Sequence, residues 1–226
     1  MMRFGILGTG MVGYTLGTAL VRKGHQVMMG SRSASNEKAR SWVASAGSRA
    51  SQGTFDQAAR FGDIVFNCTA GNVSLEALAT VGQDAVHGKI LIDVANPLDF
   101  SKGMPPTLTI CNTDSLGERI QAAFPTAHVV KTLNTINSGV MVDPSAVAAD
   151  HNLFVCGNDV AAKARVTDGL AEWFGWKLDN IIDLGDITAS RATEMWVILW
   201  IRLSAKFQNP NVGLQVVVGP KPAARH

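Results

Sequence analysis

The chain has 226 residues, 46% of them hydrophobic and 17% charged, with a formal net charge of +2. That length holds one or two domains with a substantial core, and that composition excludes a disordered chain. The charge is nearly balanced, with no basic run or aromatic–basic cluster, which excludes a nucleic-acid groove. The most apolar run, residues 195–203, is too short to cross a bilayer, which takes about 20 residues.

Residues 3–7 read as a short apolar strand, and residues 11–22 as a helix with Val12, Leu16, Ala19 and Leu20 on one face. Between them Gly8, Gly10 and Gly13 have the G-x-G-x-x-G spacing. Each glycine has a reason in a dinucleotide site: a tight turn, room for a pyrophosphate, and close packing of helix on strand. The helix N-terminus then offers free N–H groups to the phosphates. The candidate pyrophosphate residues are therefore Gly8, Thr9, Gly10, Met11, Val12 and Gly13.

Residues 25–30 read as the second strand. An NAD site places Asp or Glu at its end to hold the ribose hydroxyls. Here Ser31, Arg32 and Ser33 follow, and no acid appears before Glu37. A guanidinium between two hydroxyls suits the 2′-phosphate of NADP, and Lys38 adds a second positive charge.

Further along, helix is expected at 36–46, a third strand at 48–51, and a brief helix capped by Thr54. Residues 63–68 form a buried strand that ends in the small residues Thr69, Ala70 and Gly71. A helix at 74–81 and a strand at 89–94 follow, then Ala95, Asn96 and Pro97. Residues 101–106 are a connection. Ser115, with Glu118 three places on, starts a helix through 124 in a capping-box pattern. Strand 127–131 leads into the polar loop 133–137. Strand 152–156, helix 159–174 and strand 180–184 complete the alternation. Strands alternating with helices make an α/β, doubly wound parallel sheet, the Rossmann architecture, over residues 1–185. Ligands in such sheets lie beyond the carboxyl ends of the strands. The loops at 8–13, 68–71 and 95–98 therefore converge, with small side chains at 69–71 giving a nicotinamide ribose access to the backbone. Residues 186–226 form a small C-terminal helical segment. Its helix, 187–203, is apolar on nearly every face and has to be buried over the cofactor edge or in a homodimer. The tail from 219 should fray.

Cys68, Cys111 and Cys156 form no C-x-x-C pair, which suggests free thiols in a reducing compartment. The glycine motif begins too early for a signal peptide to precede it, so a cytoplasmic protein is expected. His25, His87, His128, His151 and His226 have no metal-ligand spacing, so no metal site is expected. No nucleophile elbow is present. Lys131 is a candidate polariser or anion clamp. Reduction of a carbonyl needs a proton donor, whereas a flavin-like ring delocalises the charge itself.

Six runs resemble a known family: GILGTGMVG at 5–13, GSRS at 30–33, GKILIDVANP at 88–97, VVKTLNTI at 129–136, FVCGND at 154–159 and IDLGDITASR at 182–191. They are similar to the NADPH-dependent oxidoreductases that pass hydride between NADPH and the deazaflavin coenzyme F420. The NADPH domain of six-transmembrane metalloreductases resembles them too. The resemblance implies an NADP site at Gly8–Gly13, Ser31, Arg32 and Thr69 to Gly71. It implies an acceptor pocket near Pro97, Asn134 and Ile136, partly closed by the C-terminal helix. The archaeal members look to carry His at the position of Asn134 and Pro at that of Asn137.

The expectation is an NADP(H)-dependent oxidoreductase acting on a small-molecule acceptor, a coenzyme F420 or flavin-type ring. Asn134 and Lys131 are its candidate catalytic residues. Asn96, Pro97 and Ile136 join residues 69–71 around the nicotinamide. The alternatives are a reductase of a small imine or ketone, with Lys131 as proton donor, a ferric reductase, and a non-enzymatic NADPH sensor.

Overall fold

The computed structural model describes residues 1–220. His226 and the rest of the expected loose end, residues 221–226, lie outside the described residues.

In chain order the elements are β1 (Arg3–Leu7), α1 (Met11–Arg22), β2 (Gln26–Ser31), α2 (Glu37–Ala46), β3 (Ala50–Thr54), α3 (Phe55–Phe61) and β4 (Ile64–Asn67). There follow α4 (Ser74–Leu78), α5 (Gln83–Val86), β5 (Ile90–Asp93), β6 (Leu98–Asp99), β7 (Thr107–Leu108) and α6 (Leu116–Ala123). The chain goes on through β8 (His128–Thr132), α7 (Ser138–Val142), β9 (Leu153–Cys156), α8 (Val160–Phe174), β10 (Ile181–Asp183) and α9 (Ser190–Phe207).

Eight strands form one sheet in the order β10-β9-β8-β5-β4-β1-β2-β3. From β3 to β8 every pairing is parallel, which is the doubly wound arrangement. Alternate side chains leave each strand on opposite faces. Phe4, Ile6, Phe66, Ile92 and Val130 enter a core with α1, α2 and α8. Leu7, Val65, Leu91 and Val129 enter a second core with α3 and α6. Trp173 of α8 meets Phe4 edge to face, with ring centres 5.0 Å apart. A fully buried side chain of that size contributes about 1.5–3 kcal/mol.

Local signals account for most element starts. Thr54 and Gln57 make a reciprocal capping box at α3. Ser115 accepts from the Glu118 N–H at α6. Glu118, however, does not complete a box there: its carboxylate goes to Arg191 of α9.

Three expectations need correction. The sheet is not wholly parallel, because β9 runs antiparallel to β8. The short helix α7 stays at the carboxyl edge, packed against α1, so the chain enters β9 from the edge at which it left β8. The connection at 101–106 is the turn of a hairpin, β6 with β7. Finally, α9 runs four residues beyond 203, to Phe207. No helix among the described residues is long and apolar enough to cross a membrane.

Candidate active site

The glycine turn is shaped by steric demand. Gly8 has φ +123°, and a Cβ there would lie 2.5 Å from the Cys68 carbonyl oxygen. A Cβ on Gly13 would lie 2.3 Å from the Gly8 carbonyl oxygen. Both glycines therefore hold the protein to itself. Gly10 differs: nothing lies within 4 Å of its Cβ position. It is the N-cap of α1, and no side chain caps that helix. The first-turn N–H groups thus face open space above a residue without a side chain, which fits a diphosphate.

At the end of β2, the Ser31 hydroxyl is buried and donates to the Ser33 carbonyl, while the Ser33 N–H donates back to it. Ser31 shapes the turn and has no hydroxyl proton left for a phosphate. Arg32 is exposed, and among the described residues neither a hydrogen bond nor an ion pair engages its guanidinium. Glu37 pairs with Arg40 at 2.5 Å. A shelf of about 550 Å³ between α1 and α2 is lined by Thr9, Gly10, Tyr14, Glu37 and Lys38. Lys38 and, at the end of β2, Arg32 offer positive charge to a 2′-phosphate, and Glu37 on the shelf is paired with Arg40.

Beyond the turn opens a cleft of about 480 Å³. Met11, Val12, Thr69, Ala70, Gly71, Asn96, Asn134 and Ile136 all line it. Pro97 does not: it is buried, and its carbonyl accepts from the Thr109 N–H and hydroxyl. Gly71 has a role other than ribose access. A Cβ there would fall 1.9 Å from the Asn96 carbonyl oxygen, so the two loops meet only because residue 71 has no side chain. Asn134 and Asn96 are locked face to face. Asn134 Nδ2 donates to Asn96 Oδ1 at 3.0 Å, and Asn96 Nδ2 donates to the Asn134 carbonyl at 2.8 Å. The Asn134 amide oxygen takes no hydrogen bond from the described residues. Cys68 also borders the cleft, and burial holds its thiol pKa well above the usual range, so it stays neutral.

Lys131 is absent from the cleft wall, which corrects its reading as a polariser. Its side chain is fully buried, and Nζ donates to Asp93 Oδ2 at 2.7 Å, Glu194 Oε1 at 2.7 Å and the Ala95 carbonyl at 2.5 Å. All three ammonium protons are engaged. Burial alone would lower its pKa, but Asp93 and Glu194 outweigh that and hold it raised. Burial also raises the Glu194 pKa, against the pull of Lys131. Glu194 further accepts from the Leu116 and Gly117 N–H groups at the start of α6. Asp93 accepts from Asn67, whose oxygen accepts from the Thr69 hydroxyl. A buried polar chain thus runs from α9 to the loops at 69 and 95, and positions two walls of the cleft.

Residues 3–97 match the family described as NADP oxidoreductase, coenzyme F420-dependent. A candidate F420-dependent NADP-reductase from Arthrobacter sp. FB24 has a crystal structure similar to this one: 44% identity, TM-score 0.89, 96% of this chain and 100% of that one covered. The chain belongs to the F420-dependent NADP oxidoreductase family. It is an NADP-dependent oxidoreductase. A second relative is metalloreductase STEAP3 of Rattus norvegicus, 28% identical over 194 residues, 85% of this chain and 36% of that protein. The chain therefore spans about a third of the length of that curated relative. A reductive aminase from Aspergillus terreus, solved with NADPH and ethyl levulinate, shares the fold: TM-score 0.65 at 20% identity, with 92% of this chain and 63% of that one covered.

For this family member, sequence reasoning missed the far wall of the cleft: Phe100, Met141, Val197, Trp200 and Pro210. Val197 and Trp200 stand one helical turn apart on α9, the helix expected to cover the cofactor edge or a dimer contact, but which of its residues face the cleft was not legible.

Proposed function

We propose that this oxidoreductase passes hydride from nicotinamide C4 of NADPH to a flat, uncharged ring stacked on it in the cleft, a deazaflavin (coenzyme F420) or a flavin. One observation carries the reading. Among the described residues, no Asp, Glu, Lys, Arg, His or Tyr lines the cleft. A carbonyl or imine acceptor calls for a placed proton donor, whereas a conjugated ring takes the electron pair into its own π system. The burial of Lys131 removes the donor that an imine or ketone reductase would use.

In this reading the N-terminus of α1 holds the diphosphate, and Arg32 and Lys38 hold the 2′-phosphate. Val12, Ile136, Val197 and Trp200 exclude water from the reacting faces. Asn134, fixed by Asn96, offers its amide oxygen to a ring N–H and orients the acceptor by positioning alone. Residues 1–185 act as the NADP-binding part and 186–226 as the cover of the acceptor end. The protein acts in the cytoplasm as a homodimer. Met195, Leu199 and Phe207 support the dimer: they lie on one fourfold-spaced ridge of α9 with Leu203, exposed at 41%, 49% and 66%.

The test is NADPH oxidation, followed by nicotinamide absorbance, with coenzyme F420, FMN, FAD and a ferric chelate offered separately. Turnover with a ring acceptor is expected. Turnover with the chelate alone, or tight NADPH binding without turnover, would overturn the proposal.

A further inference from the structure

After α9 the chain reverses at Gln208, which adopts φ +51°. It then runs back as a strap, residues 208–216, and Pro210 of the strap lines the cleft. One side chain joins this strap to the cleft floor. Asn137 Nδ2 donates to the Pro210 carbonyl at 2.5 Å and to Asn211 Oδ1 at 2.9 Å. Its Oδ1 accepts from the N–H groups of Gly139 at 2.7 Å and Val140 at 3.1 Å, capping α7. The carboxamide therefore uses both N–H groups on the strap and its oxygen on the helix. Asn137 lines the cleft itself.

The far end of the strap is fixed independently. The Asn152 N–H donates to the Leu214 carbonyl at 2.6 Å, and the Val216 N–H donates to Asn152 Oδ1 at 2.7 Å. Gly213 lies flat on His151, where a Cβ would come within 2.8 Å of the ring side chain. The strap is thus held at residue 152 and latched at residue 137, and Asn137 is the anchor next to the ligand. Asn137 makes its hydrogen bonds to the strap and to α7, and among the described residues none joins it to the glycine turn at 8–13.

We propose that Asn137 is a positioning and specificity residue: it latches the strap across the acceptor end of the cleft and sets affinity for the ring while leaving NADP binding unchanged. This rests on the stacked-ring reading above. A carboxamide is required here because the position must donate twice to the strap and accept twice from α7. Aspartate keeps the acceptor function and the cap, but sets a carboxylate oxygen against the Pro210 carbonyl and the Asn211 oxygen.

Asn137→Asp therefore separates latch from cap, and Asn137→Ala removes both. Two readouts decide the matter. The first is hydrogen exchange of peptides covering 209–216. The second is equilibrium binding of coenzyme F420 and FMN to NADP⁺-saturated protein, by quenching of the ring fluorescence, beside binding of NADP⁺ alone. With two neutral hydrogen bonds lost, exchange and ring dissociation constants should each rise roughly tenfold in Asn137→Asp. The NADP⁺ constant should stay within about twofold, because Asn137→Asp keeps the cap of α7 and, among the described residues, no hydrogen bond joins residue 137 or the strap to residues 8–13. Unchanged strap exchange in Asn137→Asp, or equal weakening of ring and NADP⁺, would overturn the latch. So would an impaired Asn137→Ala beside a normal Asn137→Asp, since the cap alone would then matter. If the wild type binds neither ring while the strap still loosens in Asn137→Asp, the acceptor reading fails and the latch stands.

Discussion

Replacing Lys131 with Met tests the buried chain of charges beneath the cleft. The ammonium sits between Asp93 and Glu194, whose side chains are 0% and 1% exposed. Methionine has similar length and leaves no large void, so the effect reports the lost charge. Removing one partner of a buried ion pair costs about 3–5 kcal/mol. The lower end is expected, because the carboxylates keep other donors: Asn67 and the Ala95 N–H for Asp93, the Leu116 and Gly117 N–H groups for Glu194. For a chain of this size, about 3 kcal/mol corresponds to a fall in Tm of roughly 6–12 °C. The sign with pH follows from Glu194, whose pKa burial already raises. A raised folded-state pKa gives stability that is present in acid and lost as pH rises through it. Without Lys131 the Glu194 carboxyl rises further, so the deficit of the variant should be smaller at pH 5 than at pH 8. Thermal and urea unfolding at both pH values measure this. A deficit below about 1 kcal/mol, or one that does not shrink in acid, would refute the reasoning. Loss of turnover with full stability would restore Lys131 to the chemistry.

Arg32→Ala should raise the NADPH KM roughly 10- to 100-fold, the worth of one or two charge-assisted hydrogen bonds, and leave the NADH KM nearly unchanged; steady-state kinetics with both cofactors compares them. The two glycines of the turn should separate cleanly. Gly10→Ala should unfold within about 0.5 kcal/mol of wild type yet bind NADPH at least tenfold more weakly in titration, while Gly8→Ala, with its positive φ and blocked Cβ, should lose stability first. Because the cleft wall carries no titrating side chain and Cys68 is held as a thiol, kcat with a ring acceptor should be flat from pH 6 to 9; a bell-shaped profile would reveal a missed acid or base. Leu199→Glu should convert a dimer to a monomer in light scattering, with NADPH binding retained.

Much of the phosphate side was legible in the sequence, because its determinants are local. The turn needs glycines at 8, 10 and 13 within six residues, and Ser31-Arg32-Ser33 follow their strand directly. Caps such as Thr54 with Gln57, and the period-two and helical spacings, act over a few residues and appear in any reading of them. What local spacing left open was settled by distance in the fold. Lys131 looked like a polariser at the acceptor because nothing near it in sequence foretells Asp93, 38 residues away, or Glu194 on the last helix. Gly71 looked like a ligand-facing glycine until the Asn96 loop was seen to occupy the space of its Cβ. The antiparallel β9, the wall made by Val197 and Trp200, and the strap on Asn137 have the same origin. Propensity and spacing determine which elements form and which loops lie at the carboxyl edge. Burial, shared hydrogen bonds and the closing of one element over another are properties of the packed chain, and they alone decided which of the polar residues at that edge face a ligand and which hold the edge in place.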